Sequence, residues 1–281
     1  MFGDGDSQMS DYDITVFLGG IRPFLWSEFY DSVEKSCSRH TFQVIIAGPQ
    51  QAPDSLITKP NFKFIKDYGG PARAAQLAAK FAEGTLITLG ADDGKYDPDA
   101  LSNAIDTFYE NEKKANGKDY ILGLKYGEGG NLMPEPYWTA WHHRPLQLPG
   151  IPQDSPMVLN TIMRNKLFEK CGGYDLKNFS TCNWGGHDLY QRLFTKYDVV
   201  FSFYDKHVLR CTWTAEDAGV NNDHVPVAMA DHYEYPESDY KYFRQKYSSI
   251  DPNKNCHQLD KKFSWEDGER FWSKRFKIKG S

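Results

Sequence analysis

Thr85-Leu86-Ile87-Thr88-Leu89-Gly90-Ala91-Asp92-Asp93-Gly94 is the stretch around which the rest of the chain arranges itself. Its apolar, threonine-bearing run has the length and composition of a buried strand, and it delivers two adjacent carboxylates onto a glycine turn. Ligands of open α/β sheets gather where strands end. Paired carboxylates in such a place suit a divalent cation and the phosphates it neutralises. The same residues also suit a solvated Asp-Asp-Gly turn with no chemistry.

Upstream, strand and helix signals alternate. Ile14 to Leu18 reads as a strand, ended by Gly19-Gly20 and followed by Ile21-Arg22-Pro23. Trp26, Tyr30, Val33 and Cys37 recur at helical spacing. Phe42 to Ala47 is a second strand closed by Gly48-Pro49, and Asn61 to Ile65 a third, leading to Asp67-Tyr68-Gly69-Gly70. Pro71 suits a first helical position. Ala74, Leu77, Ala78 and Phe81 form the expected buried stripe of that helix, with Gly84 as its stop. Downstream, Asp97 and Pro98 read as cap and first turn of a helix carrying Leu101, Ala104, Ile105 and Phe108, and Tyr120 to Leu124 as a further strand. The alternation predicts an α/β fold with a mostly parallel central sheet and crossover helices.

Beyond residue 125 the texture changes. Residues 128–153 are rich in Gly, Pro, His and Trp without a clean period, and a segment of that length without regular structure is often functional, or else holds short strands that the pattern does not reveal. Met157 to Met163 reads as a strand, Lys166 to Lys170 as a short helix ending at Gly172-Gly173, Asp188 to Phe194 as a helix and Val199 to Phe203 as a strand. Asp239 to Tyr247 sets Tyr240, Phe243 and Tyr247 on one side, and Ser264-Trp265-Glu266-Asp267 starts a last helix. The organisation expected is one domain: a regular α/β half over 12–125, an irregular second half over 126–230, and a helical C-terminal extension over 231–281.

Bulk properties narrow the function. A net charge of -5 argues against a nucleic-acid partner. Five cysteines, at 37, 171, 182, 211 and 256, are odd in number and lack C-x-x-C spacing, which fits reduced thiols and a cytoplasmic location. The first thirteen residues are acidic and glycine-rich, unlike a signal peptide. No apolar run is long enough for a transmembrane helix, although peripheral membrane contact stays open.

A second group with chemical potential is Gly172-Gly173-Tyr174-Asp175 followed by Gly185-Gly186-His187-Asp188-Leu189-Tyr190-Gln191-Arg192-Leu193. Asp188 suits either a helix cap or a general base that takes a proton from an acceptor hydroxyl. Arg192, one turn on, can reach Asp188 or a phosphate. His187 reads first as a surface residue, then as a proton-shuttling neighbour, then as a metal ligand. The histidines at 142, 143, 187, 207, 224 and 232 show no H-x-x-x-H or H-E-x-x-H spacing, so no dedicated zinc site is expected. Trp138, Trp141, Trp184 and Trp213 suit a core or a stacking surface for sugar rings.

In order and spacing these segments resemble the inverting nucleotide-sugar glycosyltransferases of the GT-A fold, family 2, over roughly residues 12–205. Phe17 to Pro23 stands where that family has its first loop. Gly69-Gly70-Pro71-Ala72-Arg73 through Gly84 stands for its small-residue helix, Asp92-Asp93 with Pro98-Asp99-Ala100-Leu101 for its metal segment, and Gly172 to Asp175 with His187-Asp188 and Arg192-Leu193 for its catalytic segment. The resemblance implies a GT-A-like domain whose 12–125 half binds a nucleotide-diphosphate sugar and whose 126–230 half faces the acceptor. Asp92 and Asp93 would meet Mn²⁺ or Mg²⁺ and the diphosphate. Gly19, Gly20, Arg22, Gly70, Arg73 and Arg192 would line the donor site, and Asp188 would be the base. The implied reaction is metal-dependent, inverting sugar transfer to a hydroxyl of a glycan, lipid-linked or other acceptor. The alternative is a homologue of little or no activity that binds carbohydrate or nucleotide. The chain departs from the family with Ala47-Gly48-Pro49 after its second strand, Ala91 before the paired aspartates, and His187 in place of a second acid.

Overall fold

A computed structural model describes residues 11–128, 160–211, 237–247 and 256–259. In chain order its first half runs β1 (Tyr12–Gly19), α1 (Pro23–Ser36), β2 (Phe42–Gly48), α2 (Asp54–Ile57), β3 (Phe62–Lys66), α3 (Pro71–Lys80), β4 (Gly84–Leu89), β5 (Gly94–Tyr96), α4 (Ala100–Lys114) and β6 (Tyr120–Glu128). Then come β7 (Thr161–Arg164), α5 (Asn165–Cys171), α6 (Cys182–Lys196), β8 (Val199–Cys211), α7 (Glu237–Tyr247) and β9 (Cys256–Gln258). These strands form one sheet in the order β3-β2-β1-β4-β7-β6-β8-β5, with β9 beside β8.

β1 pairs in parallel with β2 and β4, and β2 with β3. β7 runs against both its neighbours and β5 against β8, whereas β6 and β9 pair with β8 in parallel. The sheet is mixed and mostly parallel, as the alternating signals predict, and the carboxyl ends of β1 to β4 share one edge. Ile14, Val16, Phe17 and Leu18 of β1 and Val44, Ile45, Ile46 and Ala47 of β2 are all buried. Such near-continuous apolar strands belong to a sheet covered on both faces.

Several local expectations are corrected. The buried face of α3 is Ala72, Ala74, Ala75, Ala78 and Ala79, while Leu77 is half-buried and Phe81 is exposed. The reason is proximity: a Cβ on Gly19 of β1 would stand 3.1 Å from Ala74 Cβ and 3.3 Å from the Pro71 carbonyl oxygen. Only methyl-sized side chains fit under a helix lying so close. Gly84 is the first residue of β4, not the end of α3, and a Cβ there would come within 2.5 Å of the Thr15 nitrogen.

Asp97 and Pro98 do not cap α4. The helix starts at Ala100, preceded by Asp99 in the left-handed region (φ 57°), and the Asp97 carboxylate instead takes a two-pronged bond from Arg210 of β8 at 2.7 and 2.8 Å. A carboxylate that a distant guanidinium can hold in a fork is worth more there than as a cap, and no local signal announces the partner. β5 and α2 were not expected from the pattern, being too short for one. β8 continues to Cys211, through the polar Asp205-Lys206-His207, far beyond the strand expected to end at Phe203.

The expected helix over 188–194 begins six residues earlier, at Cys182, because the Thr181 side chain accepts the Trp184 N–H at 3.4 Å. The C-terminal extension is not purely helical: it adds β9 to the sheet as well as α7. Trp138, Trp141, His142, His143, Trp213, His224, His232 and the helix expected from Ser264 lie outside the described residues. Among the described residues no helix is long and apolar enough to cross a membrane.

One connection shapes the site. Residues 90–93 alone carry the chain from β4 to β5, although β7, β6 and β8 lie between them in the sheet order. So short a link closes only if the sheet curls over on itself there. Asp92 and Asp93 sit in that link.

Candidate functional site

At the shared carboxyl edge the backbones of β1, β2 and β3 meet without intervening side chains. The Gly20 N–H donates to the Ala47 carbonyl at 2.9 Å, and a Cβ on Gly48 would fall 2.0 Å from the Gly20 carbonyl oxygen. Ala47-Gly48-Pro49, which lacks the expected acid, is therefore the floor on which the β1–α1 loop lies. The next acid along the edge is Asp67, whose N–H donates to the Gly48 carbonyl at 3.0 Å. Its buried carboxylate accepts the Gly69 N–H at 3.0 Å and lies 2.8 Å from Arg73 Nη2. That pairing steadies the Gly69-Gly70 turn and leaves Arg73, 64% exposed, standing at the edge.

Asp92 crosses from the β4 side to the same loop. Its Oδ2 accepts the backbone N–H groups of Ile21 at 2.7 Å and Arg22 at 2.8 Å, and its Oδ1 accepts Arg22 Nη1 at 2.6 Å. Arg22 Nη1 also stands 3.7 Å from Asp93 Oδ2. Asp92 is buried, whereas the Asp93 side chain is 24% exposed. Gly19, Gly20, Arg22, Gly70, Arg73, Asp92 and Asp93 thus come together on one edge.

Both aspartates already face a cation of the protein's own. Each Asp92 oxygen already accepts a donor, and the guanidinium lies between the two carboxylates, where a second cation would be repelled. No cluster of three or more His, Cys, Asp or Glu side chains with metal-binding geometry occurs among the described residues.

Asp188 and Arg192 belong to a second hydrogen-bonded group. Asp188 lies nearly two turns inside α6, about 10 Å along the helix from the cap at Thr181. The capping role is therefore excluded. Its carboxylate is fully buried and accepts Arg192 Nε at 2.7 Å, Lys246 Nζ at 2.5 Å and the Tyr247 hydroxyl at 2.7 Å. Burial, then the Asp188 charge and hydrogen bond, push the Tyr247 phenol up, so it stays a donor. Arg192 also donates to the carbonyl oxygens of Cys171, at 2.5 Å, and Gly173. This is a hub joining α5, α6 and α7.

Lys246 reaches Asp175 at 3.3 Å as well, and Asp175 is held below the usual carboxylate range: burial opposes this, but the Asn178 hydrogen bond and the Lys246 charge outweigh it. At the other end of α7, Asp239 accepts the N–H groups of Ser180 and Thr181, both at 3.0 Å. Ser180 in turn offers its carbonyl oxygen to the Ala72 N–H at 3.3 Å. So the start of α6 touches the Gly70 turn.

His187 is not on the surface. It is 1% exposed, with its ring edge-on to Trp184 at 5.5 Å and 6.1 Å from that of Phe243. Trp184 accordingly belongs to the core and not to a sugar-stacking surface.

Just before His187, Gly185 and Gly186 lie inside the helix, and a Cβ on Gly186 would meet nothing within 4 Å. Gly186→Ala is expected to stabilise the fold by about 0.5–1 kcal/mol, read as a higher urea midpoint with an unchanged slope.

Sequence reasoning missed Asp67, Gly48, Asp239, Lys246 and Tyr247. Asp67 was accessible in principle, since Asp two residues before glycine is an Asx-turn signal. Lys246 and Tyr247 carry no signal, being 58 and 59 residues from their partner.

No family model matches this chain, and no curated protein sequence does. Among solved structures it is similar to S. aureus TarS 1–349, at 15% identity and a TM-score of 0.50 over 71% of this chain and 60% of that one. TarS 1–349 in complex with UDP matches at 16% identity over 84% and 70% of the two chains, with a TM-score of 0.49. The complex with UDP-GlcNAc matches at 16% identity over 72% and 59%, with a TM-score of 0.46. The first of these likenesses shows a shared α/β fold. The present chain spans 60% of that fragment's length.

Proposed function

We propose that the chain binds a nucleotide-diphosphate sugar along the carboxyl edge of β1 to β4 and transfers the sugar to an acceptor hydroxyl. The observation that carries this reading is the convergence of four separate segments on that edge. Gly19-Gly20-Ile21-Arg22, Gly48, the Asp67-to-Arg73 turn and Asp92-Asp93 meet there, with bare backbone between them and Arg73 exposed. Glycine at Gly20 and Gly48 lets the first loop lie directly on the end of β2, and an exposed guanidinium suits a phosphate. The fold shared with S. aureus TarS 1–349 is consistent with it.

In this reading the acceptor oxygen forms a bond to the anomeric carbon as the bond to the diphosphate oxygen breaks. The nucleoside diphosphate leaves with that electron pair, and the acceptor proton passes to a base. Asp188 serves as that base only after Lys246 and Tyr247 have left it. Its burial favours a second reading, in which the chain binds nucleotide or carbohydrate without turnover.

The two readings separate in one assay. Purified protein is incubated with a panel of nucleotide sugars, their binding is followed by calorimetry, and free nucleoside diphosphate is measured with and without simple sugar acceptors. Transfer predicts catalytic release that Arg73→Ala reduces at least about tenfold, the loss expected for one charge-assisted phosphate contact. Binding without release selects the second reading. Neither binding nor release, across the panel, sinks both.

A further inference from the structure

We propose that Arg22 is the built-in cation of the Asp92–Asp93 pair, so that this edge has no resident divalent-ion site and takes a nucleoside diphosphate without Mg²⁺ or Mn²⁺. The inference rests on the nucleotide reading above and departs from its metal-dependent form.

Three observations carry it. First, the Asp92 carboxylate is committed: Oδ2 to two consecutive backbone N–H groups, Oδ1 to the Arg22 guanidinium, with all three contacts at 2.6–2.8 Å. Mg²⁺ demands near-octahedral oxygen ligands at about 2.0–2.1 Å, and Oδ1, the Asp92 oxygen not holding the loop amides, faces the Arg22 guanidinium where such an ion would stand. Second, Arg22 Nη1 bridges towards Asp93, at 3.7 Å, so one guanidinium faces both acids. A guanidinium stays charged at any pH the fold survives, so it cannot yield to a metal by losing a proton. Third, the Arg22 side chain is 10% exposed and that of Asp92 7%. Displacing either would leave a buried charge without its partner, which is costly.

The same ties explain the place of the cation. Asp92 reads the amides of Ile21 and Arg22 and the Arg22 side chain together, so the loop's conformation and its charge are set by one carboxylate. Asp92 is in this view a positioning residue for the β1–α1 loop.

The test has two arms. In the first, Mn²⁺ alone is titrated into the protein and the free ion is followed by electron paramagnetic resonance. Wild type is expected to show no saturable binding below about 1 mM, weaker than ordinary carboxylate sites. Arg22→Gln, which uncovers the two acids, is expected to bind Mn²⁺ at least about tenfold more tightly. One equivalent of Mn²⁺ bound tightly by wild type and lost in Asp92→Asn would overturn the proposal. Should Arg22→Gln not fold, Arg22→Lys keeps the charge and must still bind no Mn²⁺; tight binding by that variant also overturns it.

In the second arm, UDP, GDP, ADP and CDP are titrated in EDTA and again in MgCl₂. Affinities agreeing within about threefold support the proposal, and a loss of about tenfold or more in EDTA contradicts it. If none of the four binds in either buffer, the nucleotide reading falls, while the Mn²⁺ arm still decides whether Arg22 excludes a metal.

Discussion

Asp188→Ala is expected to cost the fold about 3–5 kcal/mol, the most of any single change considered, because it removes a fully buried carboxylate that the half-buried Lys246 and Arg192 share as counter-charge. The Tyr247 hydroxyl loses its shorter acceptor at the same time and keeps only the backbone carbonyl of residue 188, at 3.3 Å. Urea unfolding of the variant should show the lowered midpoint, and hydrogen exchange should show faster opening of 237–247 before the rest of the sheet. The expectation separates two roles for this carboxylate. A residue that only accepts a proton during turnover would, when removed, abolish activity and leave stability nearly untouched. A residue that pins α7 onto α6 lowers stability whether or not the protein catalyses anything.

The second large effect is expected at Asp92. Asp92→Ala deprives two backbone donors and one guanidinium of their acceptor in a buried place, at a cost of about 3 kcal/mol. The damage should be local in a way that Asp188→Ala is not. Exchange of the Ile21 and Arg22 amides should rise well before that of β1 itself, whose hydrogen bonds to β2 and β4 do not involve Asp92. Stability equal to wild type, with only a metal requirement altered, would show that Asp92 is a ligand and not a latch.

Much of the fold was legible because its first half obeys local rules. In β1 to β4, apolar strands of five to eight residues, glycines at their ends and a small-residue helix leave few arrangements for a parallel sheet. The errors lie where a long-range partner outbids a local signal. Asp97 had every mark of a cap until Arg210, from β8, took its carboxylate. Leu77 and Phe81 had the spacing of a buried stripe, but the close approach of α3 to Gly19 leaves room only for alanines.

The candidate site divides the same way. Arg22, Arg73, Asp92 and Asp93 could be drawn together from sequence because each lies just beyond a strand of one sheet and must reach the same edge, and the family resemblance added Gly19, Gly20 and Gly70. What could not be read was how the charges pair within it. Nothing in Ala91-Asp92-Asp93 says that Asp92 turns back to hold Ile21 and Arg22, seventy residues away. Asp188 shows the larger gap. Glycines at 185 and 186 suggested a loop opening onto a helix, but Thr181 caps the chain earlier and carries Asp188 inside. There it meets Lys246 and Tyr247, which no spacing rule connects to it.

The central claim is that the carboxyl edge of β1 to β4 holds the diphosphate of a nucleotide. Amide hydrogen exchange, measured with and without a saturating nucleoside diphosphate chosen from the four-member panel, tests it most directly. Slowed exchange confined to residues 19–22, 67–73 and 90–93 is the predicted result. Unchanged exchange in all three segments, or protection appearing only around α6 and α7, would contradict it.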